Sequence, residues 1–143
     1  MNLYKKLRKL RTLLVDDDEW IRNSMCLYFE SEGCDLLAVE TAEEGMEAVS
    51  RQAYDIVISD YRLPGMDGLE FFKKIQSNPH IIKILITAYG SNEILSMAKK
   101  IGVDDLIEKP FTPEMIEESL LRLIKNLFGD KMVAQNVSQH YNK

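Results

Sequence analysis

Thr12-Leu13-Leu14-Val15-Asp16-Asp17-Asp18 and Ile56-Val57-Ile58-Ser59-Asp60 decide the fold, because each is a short apolar run closed by acid. If both runs are parallel strands of one sheet, their carboxyl ends lie side by side and the carboxylates converge on a crevice at the sheet's edge. Three carboxylates gathered there repel. At ~4 Å each pair costs on the order of 4 kcal/mol at an effective dielectric of 20, so the cluster needs a cation or a raised pKa. Oxygen ligands favour a hard divalent ion, magnesium rather than zinc.

Outward from these runs, apolar segments recur at 12–15, 35–39, 54–59, 82–88 and 103–107, each followed by an amphipathic stretch of ten or more residues. That alternation predicts a five-fold βα repeat. Ile56-Val57-Ile58 and Ile84-Leu85-Ile86 are continuous rather than alternating, as expected of parallel strands covered on both faces. Gly33 and Gly102 are placed as helix stops, and Thr112-Pro113-Glu114 as the cap and first turn of a last helix carrying Ile116, Leu120, Leu123, Ile124 and Leu127.

At 143 residues and 45% apolar content the chain fits one globular domain, with no run approaching the roughly 18 residues of a membrane span. The first residues lack a secretory signal pattern, which makes the cytoplasm the expected location. Cys26 and Cys34 are expected as buried thiols. Of 18 basic residues, five (Lys5, Lys6, Arg8, Lys9, Arg11) lie in residues 1–11 without an acid among them; the other 13 face 23 acidic residues, a net −10. An acidic body argues against direct nucleic-acid binding. Leu3, Leu7 and Leu10 fall at helical spacing in the basic leader, which either docks on a partner or an anionic surface or, the reading preferred on length, forms a solvated or loosely packed extension. Residues 129–143 read as a polar tail or linker stub.

The chemistry follows from what each strand end delivers: Asp16 and Asp17, Asp60, Thr87, and Lys109-Pro110, with the second strand as an edge. An aspartate can accept a phosphoryl group as an acyl phosphate once nearby cations neutralise the incoming charge. Magnesium, Lys109 and Thr87 meet that need.

These residues resemble the receiver domain of bacterial two-component response regulators. The likeness rests on Val15-Asp16-Asp17-Asp18 with Arg22 beyond it, Asp60 to Gly68 (DYRLPGMDG), Thr87-Ala88 and Lys109-Pro110-Phe111, and covers residues 12–128. It implies a flavodoxin-like, doubly wound (βα)5 fold with strand order 2-1-3-4-5. It also implies roles: Asp60 as phosphoacceptor; Asp17 as a direct and Asp16 as a water-mediated magnesium ligand, joined by Asp60 and the backbone carbonyl of Arg62; Thr87 and Lys109 as phosphoryl-binding switch residues. Ala88 leaves room for the donor, Arg62 and Tyr89 flank the phosphoryl group and tune its lifetime, and the Lys109-Pro110 bond is a candidate for cis. The partners implied are a sensor histidine kinase or histidine phosphotransfer protein, and an effector domain, a partner protein or a second copy met through the last helices. Three residues before the lysine, where receivers commonly carry an aromatic switch residue, stands Leu106.

Plainer readings exist for several of these positions. Asp18 reads as a helix cap and Asp67-Gly68 as an ordinary turn. Lys109 can be a surface ion-pair partner, a reading weakened by its place before proline at a strand end. His80 and His140 read as surface residues. Three functions remain open: a phosphorylation-controlled switch, the best supported; a phosphorelay intermediate; and a pseudo-receiver that is never phosphorylated, against which Asp17, Asp60, Thr87 and Lys109 argue. A nucleotide-binding flavodoxin-like protein is disfavoured because no glycine-rich loop follows the first strand.

Overall fold

The computed structural model describes residues 2–75 and 80–129, the side chains of 128 and 129 excepted. The chain runs α1 (Leu3–Arg8), β1 (Arg11–Val15), α2 (Glu19–Ser31), β2 (Asp35–Val39), α3 (Ala42–Arg51), β3 (Ile56–Asp60), α4 (Gly68–Lys74), β4 (Ile82–Thr87), α5 (Asn92–Ile101), β5 (Asp105–Glu108) and α6 (Pro113–Ile124), then one π-helical turn, Lys125–Gly129. The five strands form one parallel sheet in the order β2-β1-β3-β4-β5. The flavodoxin-like expectation holds.

Side-chain alternation along each strand builds two cores. Leu14, Ile56, Ile58, Ile84 and Ile86 pack with Leu7 of α1, Met25 and Phe29 of α2, and Ile116, Leu120 and Ile124 of α6. Leu13, Val15, Val57 and Leu85 point the other way, toward Ala42 of α3, Leu69, Phe71 and Phe72 of α4, and Ala98 and Ile101 of α5. The strand order reverses between β1 and β3, so the chain leaves those strands toward opposite faces and opens a crevice at their carboxyl ends.

Helix ends follow local chemistry. Asp18, Thr41, Asp67, Ser91 and Thr112 each accept a bond from a first-turn N–H as N-caps. Gly33 and Gly102 take positive φ of 74° and 94° at the helix stops, a conformation that costs glycine little.

Long-range contacts move several boundaries. Strand β3 starts at Ile56 rather than 54, because Thr12 pairs with Ile56 and the Asp55 carboxylate accepts the Arg11 N–H at 2.9 Å. Val103 is drawn into the turn after α5 by its bond to the Ala98 carbonyl, so β5 begins at Asp105. Helix α4 has seven residues among those described, fewer than the ten expected. Leu127, assigned to the apolar face of the last helix, is 46% exposed, since the π turn ends the α-helical register at Ile124. Cys26 and Cys34 are half-buried rather than buried; burial still raises both thiol pKa values.

The basic leader is not loosely packed. Leu7 is buried in the core, Leu3 and Leu10 pack around it, and the Arg8 Nε donates to the Glu32 carbonyl at 3.0 Å. Burying one leucine contributes roughly 1.5–3 kcal/mol, which a short helix cannot gain in isolation. His140 and residues 130–143 lie outside the described residues.

Candidate functional site

Strand ends bring the acids together. One carboxylate oxygen from each of Asp16, Asp17 and Asp60 lies within 4.8 Å of the others. Asp16 and Asp60 are buried, and Asp17 stands exposed at the mouth. Asp16 Oδ1 accepts the Asp18 N–H at 2.9 Å. Its other oxygen, Oδ2, is buried without a hydrogen-bond partner. The Asp18 carboxylate turns away to cap α2.

Among the described residues Lys109, which follows β5 directly, is the cation that ion-pairs inside this cluster. Its Nζ donates to Asp60 Oδ2 at 3.0 Å and stands 3.6 Å from Asp16 Oδ2. The Lys109–Pro110 peptide bond is cis. Burial alone would lower the lysine pKa, but the hydrogen bond to Asp60 and the charges of Asp16, Asp60 and Asp18 outweigh it, so the net shift is upward. Asp60 is raised by burial, opposed by Lys109 and by a hydrogen bond from the Arg62 backbone.

One ammonium does not neutralise three acids. Burial, with Asp60 and Asp17 adding to it, pushes Asp16 up to about 6 against the Asp18 N–H and Lys109. An orphaned buried carboxylate oxygen, held beside two further carboxylates and short of positive charge, fits a hard divalent cation.

The Asp16 shift predicts a pH effect. A carboxyl raised from 3.8 to about 6 on folding contributes stability that is complete below about 3.8 and is lost as pH rises through about 6. At 1.36 kcal/mol per unit the loss is about 3 kcal/mol. Urea unfolding in chelator from pH 4 to 7.5 should show Asp16→Asn gaining on wild type by that amount. A difference independent of pH would remove the assignment.

Thr87 is buried at the end of β4, one residue beyond the partner of Asp60, with Glu108 opposite it on β5. Its hydroxyl is held in a closed turn, donating to the Tyr89 carbonyl and accepting the Tyr89 N–H, both at 3.2 Å. Ala88 is exposed at the rim. The Arg62 guanidinium sits 5.9 Å from the centre of the exposed Tyr89 ring, so the β3 and β4 loops meet through a cation–π contact. Leu106 is half-buried against the second core.

Asp67-Gly68 is not an ordinary turn. Asp67 caps α4, and a Cβ on Gly68 would stand 2.3 Å from the backbone oxygen of Asp60. Glycine is required for that approach. The spacing of the DG pair from Asp60 was visible in the chain, but the contact needed α4 folded back on β3. Gly68→Ala should cost about 1–3 kcal/mol by overpacking; an unfolding midpoint equal to wild type would show that the loop yields.

Comparisons with known proteins bear on the family of the chain. The family model described as Response regulator receiver domain matches residues 12–121. The chain is 30% identical over 129 residues to the transcriptional regulatory protein FixJ of Bradyrhizobium diazoefficiens, covering 87% of this chain and 63% of that protein. It is 33% identical over 113 residues to the response regulator protein FleR of Pseudomonas aeruginosa, covering 78% and 24%. A CheY-like response regulator receiver domain protein from Methanospirillum hungatei superimposes with a TM-score of 0.73 at 33% identity, covering 82% of this chain and 98% of that one. The chain thus spans 24% of the length of one of these curated relatives and 63% of the other.

Proposed function

Since the chain belongs to the response regulator receiver domain family of two-component systems, we propose that Asp60 accepts a phosphoryl group from a phosphohistidine and that the acyl phosphate switches an output. Receiver domains bind magnesium through acidic residues and interact with histidine kinases and effector domains. The observation that carries the reading is Lys109 Nζ shared between Asp60 and Asp16, with the Asp16 oxygen it faces buried and without a hydrogen bond.

Asp60 attacks phosphorus through a carboxylate oxygen. The phosphorus–nitrogen bond breaks, its electron pair stays on the departing imidazole, and that ring takes up a proton. Asp16, Asp17, Asp60 and the Arg62 carbonyl would hold a magnesium ion, which would supply positive charge toward the phosphoryl oxygens. Lys109 then moves its hydrogen bond from Asp60 to the phosphoryl group. The Thr87 hydroxyl leaves its turn with Tyr89 to bond a phosphoryl oxygen, which loosens the Arg62–Tyr89 contact, and Leu106 repacks toward the space beneath. Arg62 and Tyr89 crowd in-line water and lengthen the phosphorylated state, while exposed Ala88 leaves the donor a way in.

An apolar hollow of about 230 Å³ is lined by Trp20, Ile21, Met25 and Phe111–Pro113, residues that follow Asp18 and Lys109 closely in the chain; on this reading it is the face that receives the donor protein. No helix among the described residues is long and apolar enough to cross a membrane. We place the protein in the cytoplasm, where the phosphodonor kinase domain is found.

The test is incubation with a small phosphodonor such as acetyl phosphate. An acid-stable, hydroxylamine-labile label that requires magnesium is expected. No label at any magnesium concentration would leave the pseudo-receiver reading in its place.

A further inference from the structure

Asp17 is the one member of the acidic crevice that nothing grips directly. Among the described residues its carboxylate makes no hydrogen bond or ion pair, whereas Asp16 is held through Oδ1 and Asp60 through Lys109. Its main chain must therefore keep its carboxylate within 4.8 Å of the other two. One side-chain bond and one main-chain bond hold that main chain. The Arg22 Nη1 donates to the Asp16 carbonyl at 2.9 Å, and the Arg22 N–H donates to the Asp18 carbonyl at 3.0 Å.

The Asp16 carbonyl belongs to the peptide plane that sets the Asp17 Cα, so its orientation decides where the Asp17 side chain starts. The Asp16 N–H is already tied to the Val39 carbonyl of β2 at 3.1 Å. With both sides of residue 16 fixed, the step from strand to helix is left little freedom. A half-buried guanidinium on a strand-end carbonyl is also a charge-assisted bond, stronger than a neutral one.

We propose that the Arg22 side chain is a positioning residue for the divalent-metal site, holding Asp17 in place through the Asp16 carbonyl that precedes it. The inference rests on reading the crevice as a magnesium site. Two effects of Arg22 oppose each other. Its positive charge repels a dication, so deletion on charge grounds alone tightens binding. Positioning predicts the reverse. Removing an outer partner of a ligand typically weakens metal affinity by about tenfold or more, and the charge of a guanidinium that faces a main-chain carbonyl rather than the carboxylates is the smaller influence.

Magnesium titration by calorimetry of wild type, Arg22→Met and Arg22→Lys separates the two. Both variants should raise the Kd, Arg22→Met by about tenfold and Arg22→Lys by less, since lysine keeps the charge but not the fork. At saturating magnesium the phosphorylation rate should return to within about twofold of wild type. The metal-free Asp17 amide resonance should shift in both variants, a readout independent of activity, and Arg22→Lys guards against simple loss of folding. Unchanged or tighter binding in Arg22→Met overturns the proposal, as does an unmoved Asp17 resonance. Wild type that bound no magnesium would overturn the metal reading and this inference together, whereas normal wild-type binding with unaffected variants overturns this inference alone.

Discussion

Asp60→Asn should lower phosphodonor labelling by at least about a hundredfold, the largest effect expected of any single change in this chain. Asparagine matches aspartate in shape, so the packing beneath β3 is preserved, but its amide oxygen is a poor nucleophile toward phosphorus. Stability should not fall with activity. Burial raises the Asp60 pKa even against Lys109, which means the folded protein holds this charge at a cost. At pH 7.5 without magnesium the variant should therefore unfold at no lower urea concentration than wild type. Labelling retained at the wild-type rate would place the acceptor elsewhere; labelling lost together with folding would leave the loss unassigned to chemistry, which is why both measurements are made on one preparation.

Lys109→Met should have the second-largest effect, and on a different quantity. Methionine approximates the aliphatic stem while removing the ammonium from its places 3.0 Å from Asp60 and 3.6 Å from Asp16. Uncompensated buried charge is costly, and breaking such a pair takes about 3–5 kcal/mol when both partners are dry. Here Lys109 is 25% exposed, so about 2–4 kcal/mol is expected at pH 7.5 in chelator. The loss should shrink on acidification toward pH 6, where Asp16 takes up a proton, and on adding magnesium, which supplies the missing charge. Magnesium affinity itself should hold or rise, because a competing cation has gone. Collapse of magnesium binding in this variant would mean that Lys109 organises the metal site rather than the phosphoryl group.

These two predictions depend on tertiary geometry to different degrees, and the same division runs through the molecule. Asp16, Asp17, Asp60, Thr87 and Lys109 were legible because each closes an apolar run, and the end of a parallel strand is where an α/β sheet presents its side chains. The βα alternation, the N-caps and the glycine stops were legible for a related reason. Hydrophobic period, capping and positive φ are set by residues within a turn of one another.

Contacts between distant residues could not be read that way. The basic leader has the composition of a solvated segment, and only the core space bordered by Met25, Phe29 and α6 makes Leu7 a buried residue. Nothing local tells Gly68 that a backbone oxygen will pass 2.3 Å from where its Cβ would stand, nor Arg62 that it will meet Tyr89 across two loops. Arg22 belonged to a recognisable pattern, yet its grip on the Asp16 carbonyl appears only once α2 folds back over the end of β1. By itself the sequence determined which elements form and which side chains the strands deliver, because local sterics and hydrophobic period act along the chain. Tertiary structure alone decided which of those side chains share a hydrogen bond, which buried oxygen goes without one and which glycine is costly to replace, because those outcomes depend on distances between residues far apart in sequence.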